Sequence, residues 1–193
     1  MTLIPYGVRW YEEVYHASKH GDDMDSSPWD RGVPHSARDA ACLRAAKILP
    51  DDKILVCGCG WGENLMTLAE IYPENKQITV IDFAPVAVAY GVKHFPYITG
   101  VVDSVENLPF PDNTFNVLLA MDITEHLPVL IYAKFLPETS RVLKPGGRAV
   151  FLPGMTKRPE HVNTLSPQQI MQHCRLAGFS KGTTNETWTI VEK

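Results

Sequence analysis

The run Ile-Leu-Val-Cys-Gly-Cys-Gly-Trp-Gly at residues 54–62 constrains this chain more than any other stretch. Four apolar residues make a short buried strand. Glycines at 58, 60 and 62 then predict a tight turn, because glycine accepts positive φ and lets a ligand approach without a Cβ in the way. Residues 63–72 follow with helical spacing, with Leu65, Met66, Leu68, Ala69 and Ile71 on the apolar side. Strand, glycine turn and helix start together form a nucleotide-binding corner. The free N–H groups of the helix start favour polar or anionic ligand groups.

The rest of the chain alternates in the same way. Strands are predicted at 53–57, 77–81, 97–102, 115–121 and 148–152, with two more at 179–184 and 187–191. Helices are predicted at 37–49, 63–72, 85–94 and 166–177. A single turn of helix is expected at 104–108. Residues 125–143 have helical composition, which Pro128 and Pro137 are expected to split or kink. Lys144-Pro145-Gly146-Gly147 reads as a stop and turn. Ser36 and Ser166 are the candidate N-caps. Strands alternating with helices predict an α/β fold: a Rossmann-like, doubly wound, mostly parallel seven-stranded sheet with helices on both faces, in a single domain. Residues 36–193 form that domain. Residues 1–35 precede it as an arm, with Trp10, Tyr11 and Trp29. The arm either closes over a ligand as a lid or packs on the surface.

Composition excludes several classes. The 193 residues suit one domain, and the net charge of −4 gives no electrostatic case for nucleic acid or an anionic membrane surface. No apolar run approaches ~20 residues, so no membrane span is expected, and the start lacks an export pattern. Cys42, Cys57, Cys59 and Cys174 form no Cys-x-x-Cys pair and read as small apolar residues carrying reduced thiols, so a cytoplasmic protein without a metal site is expected.

Ligands of such sheets bind at the carboxyl ends of the strands. The glycine turn, Asp82, Asp103-Ser104 and the segment 122–126 all fall there. Asp82 ends the second strand, where its carboxylate is placed to accept hydrogen bonds from the two hydroxyls of a ribose. A nicotinamide dinucleotide needs G-x-G-x-x-G, whereas this turn is G-x-G-x-G with Glu63 in the third glycine's place. A carboxylate there also repels a pyrophosphate. S-adenosylmethionine carries no phosphate and has a cationic sulfonium, so it suits an acidic turn better. An oxidoreductase is disfavoured on the same spacing.

At this point the chain resembles the class I, Rossmann-like, S-adenosylmethionine-dependent methyltransferases of small-molecule type. The resemblance spans residues 36–193 in order: the glycine corner, Ile-Thr-Val-Ile-Asp-Phe-Ala at 78–84, Glu-Asn-Leu-Pro-Phe-Pro-Asp at 106–112, Glu-His-Leu at 125–127, Arg-Val-Leu-Lys-Pro-Gly-Gly-Arg at 141–148 and Leu-Ala-Gly-Phe at 176–179. It implies that Gly58, Cys59, Gly60 and Gly62 line the cofactor, that Asp82 holds the ribose and Phe83 flanks the adenine, and that Asp103 or Ser104 meets the adenine amino group. Met121 and Asp122 would lie near the methyl. Asp122, Glu125 and His126 are the candidates for a base, although Glu125 and His126 equally suit capping of the next helix. The family commonly carries an acid two residues before the first motif glycine; here that position is Val56. This departure keeps open an alternative, a cofactor-binding protein without transfer activity. The acceptor implied is a small molecule held between the arm and the loop 153–165, with Tyr11, Trp29, Met155, Lys157, Arg158 and His161 as contacts. A second subunit, in a homodimer, is the other way to complete an open pocket.

Overall fold

The computed structural model describes residues 37–193. The expected arm, its aromatic residues and the Ser36 cap lie outside the described residues.

Strand β1 (Ile54–Cys57) is buried along its whole length. Its side chains alternate between two cores, as the two-residue period of a strand requires. Ile54 and Val56 enter one core with residues of α1 (Ala37–Ala46), α2 (Glu63–Ile71) and α3 (Pro85–His94). Leu55 and Cys57 enter the other, with α4 (Val129–Val142) and α5 (Pro167–Leu176). Strand β4 (Phe115–Met121) divides its residues likewise: Val117, Leu119 and Met121 on one side, Leu118 and Ala120 on the other. A sheet covered on both faces explains why these strands read as continuous apolar runs.

The remaining strands are β2 (Ile78–Asp82), β3 (Thr99–Val102), β5 (Leu143–Leu152), β6 (Lys181–Thr184) and β7 (Thr189–Glu192). The seven lie in the order β3-β2-β1-β4-β5-β7-β6. The first five are parallel, and β7 runs antiparallel between β5 and β6. The order reverses between β1 and β4. The carboxyl ends of those two strands therefore flank the crevice where a ligand binds in such a sheet.

Three local expectations are corrected. Residues 104–108 form turns rather than helix. The 125–143 stretch is split at Pro128 as expected, into a short 3-10 turn, Thr124–His126, and α4, but Pro137 does not split it further. Pro137 stays within a continuous α4, because both it and Ala133, whose carbonyl loses its partner, lie on the exposed face where water serves instead. Residues 144–147 do not end an element. They bulge out of β5, so that Leu143 pairs with Phe115 while Arg148 pairs with Val117. Arg141 fastens the loop before β4. Its guanidinium donates to the carbonyls of Leu108 and Phe110 and to Asp112, each at 2.8 Å, while Glu138 holds it from below at 2.7 Å. Two of the sequence motifs thus hold each other. Among the described residues no helix is long and apolar enough to cross a membrane. All four cysteines are buried and free.

Candidate active site

At the crevice between β1 and β4 the chain encloses a cavity of about 650 Å³, within the usual range of small-molecule sites. One wall is the glycine corner. Gly58, Gly60 and Gly62 all have positive φ (73°, 45° and 81°), which explains their alternation in sequence. Gly62 lies off the cavity and serves the fold, as the left-handed residue that starts α2.

Asp82 organises this wall. Its Oδ2 accepts the backbone N–H groups of Cys59 at 3.0 Å and Gly60 at 3.3 Å, and its Oδ1 accepts Ala84 N–H at 2.9 Å. A carboxylate offers about four acceptor directions, and the Cys59 thiol is also engaged with this one, so ligand hydroxyls must compete with bonds already made. Burial pushes the Asp82 carboxyl above the ordinary range, and the three N–H groups pull it back. Phe83, Asp103 and Ser104 continue the wall. Asp103 takes up the N–H of Ser104 at 2.7 Å.

The opposite wall is built from the ends of β4 and β5. Met121 lines the cavity, and its carbonyl accepts from the Asn64 amide at 3.3 Å. Asp122 has a left-handed φ of 51° and pairs with Arg38: both carboxylate oxygens lie within 2.6 Å of one guanidinium nitrogen. Arg38 also reaches the Pro153 carbonyl at 3.3 Å and Asp39 at 3.3 Å. It thereby ties the first turn of α1 to the ends of β4 and β5. Sequence reasoning passed over Arg38. Its one local signal is a cation in the first turn of a helix, where the dipole disfavours it unless an acid lies close by.

Glu125 and His126 follow on the 3-10 turn. Glu125 is 1% exposed. Burial, with the charge of Asp122 adding to it, pushes its carboxyl up to about 7, although backbone N–H groups and Arg38 oppose the change. His126 moves the other way, down to about 4, through burial and the neighbouring His161. The pair therefore offers a carboxyl that changes charge near neutrality beside an imidazole that stays neutral there. Gly154 explains how Glu125 fits: a Cβ at that position would overlap the Glu125 carboxylate. His161 completes this corner, with its ring 4.8 Å from that of His126. Met155 and Arg158 also line the cavity, whereas Lys157 does not.

Eight carboxylates and two arginines line the cavity among the described residues. That balance suits a cationic ligand and opposes a pyrophosphate. Residues 54–147 match the family model described as a methyltransferase domain. This stretch is a methyltransferase domain of the class I, Rossmann-like kind. The match runs from the first residue of β1 to the bulge of β5, so it takes in the glycine corner, Asp82 and the Glu125 turn. The chain is 37% identical over 113 residues to the ubiquinone/menaquinone biosynthesis C-methyltransferase UbiE of Geobacter sulfurreducens, covering 55% of this chain and 43% of that protein. An uncharacterised methyltransferase of Bacillus subtilis, YodH, is 32% identical over 145 residues, covering 72% and 57%. The chain thus spans about half the length of these relatives. A solved S-adenosylmethionine-dependent methyltransferase from Aquifex aeolicus has the same fold, with a TM-score of 0.62 at 20% identity over 80% of this chain and 87% of that one. So does the cyclase SpnF, with a TM-score of 0.59 at 23% identity over 86% and 65%. The fold therefore hosts more than one chemistry, and the reaction must be argued from the site.

Proposed function

We propose that the chain transfers a methyl group from S-adenosylmethionine to a small organic acceptor. The observation that carries this reading is the glycine corner pinned by Asp82 on one side of an acid-rich cavity, with Glu125 buried on the other side. The named activity of the relatives agrees with it.

The residues would divide the work as follows. Asp82 accepts from the ribose hydroxyls, and Phe83 flanks the adenine. Asp103 or Ser104 meets the amino group of the ring. The backbone at Gly58, Cys59 and Gly60 lines the methionine part, with Met121 nearest the reacting carbon. The departure at Val56 is compatible with this arrangement. Val56 packs in the core between Val80 and Leu119, and Asp82 takes the loop N–H groups of Cys59 and Gly60.

S-adenosylmethionine supplies an electrophilic methyl on a sulfonium. The protein must hold the acceptor in line with it and exclude water. If the acceptor atom bears a proton, Glu125 is placed to take it, because its carboxyl changes charge near the working pH. His126, neutral throughout that range, is placed to pass the proton on. Asp122 is tied to Arg38, which suits it to positioning rather than to proton transfer. The acceptor lies against Met155, Arg158 and His161. A cytosolic location fits the four buried, free thiols.

Isothermal titration with S-adenosylmethionine and with S-adenosylhomocysteine tests the reading. Micromolar binding of both is expected. Absence of both would overturn it, and binding of both without methyl product over a broad acceptor panel would favour the alternative, a cofactor-binding protein without transfer activity.

A further inference from the structure

Glu125 and His126 come from the turn after β4, and His161 from the loop after β5. One ligand atom of each, a carboxylate oxygen and two imidazole nitrogens, lies within 4.8 Å of the others. We propose that these three side chains bind a divalent transition-metal ion of the zinc class, with an open coordination position facing the cavity.

Donor chemistry is the first support. Two imidazoles and a carboxylate, with a place left open, are a donor set that suits zinc in its reactive sites. The second support is orientation. His161 Nδ1 lies 2.6 Å from the Thr156 carbonyl. A carbonyl only accepts, so Nδ1 carries the proton and Nε2 keeps a lone pair. The ring of His126 is engaged in the same way by the backbone carbonyl of Glu160. Metal-binding histidines are typically fixed by such outer partners, which set the tautomer and the ring direction. Third, the two segments are already fastened together. Asn163 N–H donates to the Glu125 carbonyl at 3.0 Å. Gly154 leaves room where Glu125 and His161 meet, since a Cβ there would overlap the carboxylate and come within 3.1 Å of His161 Cε1.

Zinc ligands at ~2.1 Å in a tetrahedron stand ~3.4 Å apart. Closing the cluster therefore takes a movement of ~1 Å by His161, which sits half-buried on a loop. The open position faces the same cavity as Met121 and Asp122. An acceptor hydroxyl could bind there as its oxyanion, its proton passing to bulk water. With the ion bound, Glu125 and His126 serve as its ligands and the ion takes the place of the Glu125–His126 proton path; that role rests on the methyl-transfer reading, whereas binding of the ion does not.

The test uses the full 193-residue chain, stripped with EDTA and titrated with cobalt(II) and then zinc(II). Visible absorption and calorimetry report binding. One equivalent should bind with micromolar affinity or better. The cobalt spectrum should lack thiolate charge transfer, because no cysteine belongs to the cluster. His161→Ala and Glu125→Gln should each weaken binding at least tenfold, with the folded circular dichroism spectrum retained. Failure of saturable binding would overturn the proposal. So would an affinity unchanged in His161→Ala, which would assign the ion to other histidines. Titration of S-adenosylmethionine into the metal-free chain separates the two readings. Cofactor binding without metal binding removes this site alone, whereas metal binding without cofactor binding leaves the site and removes the methyl-transfer reading.

Discussion

Replacing Asp82 tests the centre of the molecule. Its carboxylate accepts three backbone N–H groups, two of them in buried bonds, from Cys59 and Ala84. Asp82→Ala leaves both buried donors without a partner. Each costs about 1–3 kcal/mol, for a sum of roughly 2–6 kcal/mol. The wild-type carboxylate itself bears a burial cost, visible in the upward displacement of its pKa, so removing it returns part of that loss. The lower half of the range, about 2–4 kcal/mol, is expected. For a chain of this size that corresponds to a fall in melting temperature on the order of 10 °C. Asp82→Asn should fall between the two. Its oxygen keeps either the loop or Ala84, while its amide meets a donor on the other side. Differential scanning fluorimetry gives the order wild type, Asn, Ala. Calorimetry with S-adenosylmethionine should show at least a tenfold loss for Ala, because the mutation removes the proposed ribose partner and also loosens the loop. An Ala variant that melts within 2 °C of wild type and binds the cofactor equally well would refute the reasoning on both counts.

Three further outcomes are expected. Glu125 is raised from 4.5 to about 7 in the folded chain, so its contribution to stability falls as pH rises through that window; His126 is lowered from 6.5 to about 4, so its contribution rises as pH rises through its own window. The two slopes oppose each other, so wild type should be nearly flat between about pH 4.5 and 6.5, whereas Glu125→Gln should gain stability steadily with pH there; thermal melts in EDTA decide, and coincident profiles would contradict the assignment. Gly154→Ala forces the Glu125 carboxylate aside and should cost about 1–3 kcal/mol by overpacking, read by urea denaturation, together with most of the proposed methyl transfer. Arg141→Lys cannot reproduce the planar fork that reaches Leu108, Phe110, Asp112 and Glu138 at once, so it should speed hydrogen exchange in residues 104–113 without unfolding the sheet.

Much of the fold was legible because each buried strand carries its own local signal. β1, β2 and β4 are mostly apolar runs, interrupted only by Thr79 in β2 and Asn116 in β4, and each ends in or is followed by a glycine or an aspartate at the crevice. The glycine corner was legible for the same reason: three positive-φ positions at alternate residues need glycine. Less was legible where a long-range partner decides. Pro137 breaks a helix by local rules, yet solvent exposure of that face tolerates it. Residues 144–147 read as a turn by composition, yet the pairing of Arg148 with Val117 carries them into a strand as a bulge. In the site, Asp82 and Glu125 were marked by their places at strand ends. Arg38 was not, because its worth lies in Asp122 and the Pro153 carbonyl, both distant in sequence. Nor was the meeting of His126 with His161, since no ligand spacing links residues brought together only by neighbouring strand ends.

The geometry at Asp82 has a consequence for how a ribose would enter. Three N–H groups and the Cys59 thiol already occupy the carboxylate, so an incoming hydroxyl must displace a bond already in place. Gly60, with the longest of the three N–H contacts at 3.3 Å, is the one to yield. Entry is then an exchange rather than a gain, and the released amide becomes available to the incoming molecule. Discrimination between ribose and a deoxy sugar at this position would be shallow, and affinity would come from the charge of the cavity and from stacking on Phe83.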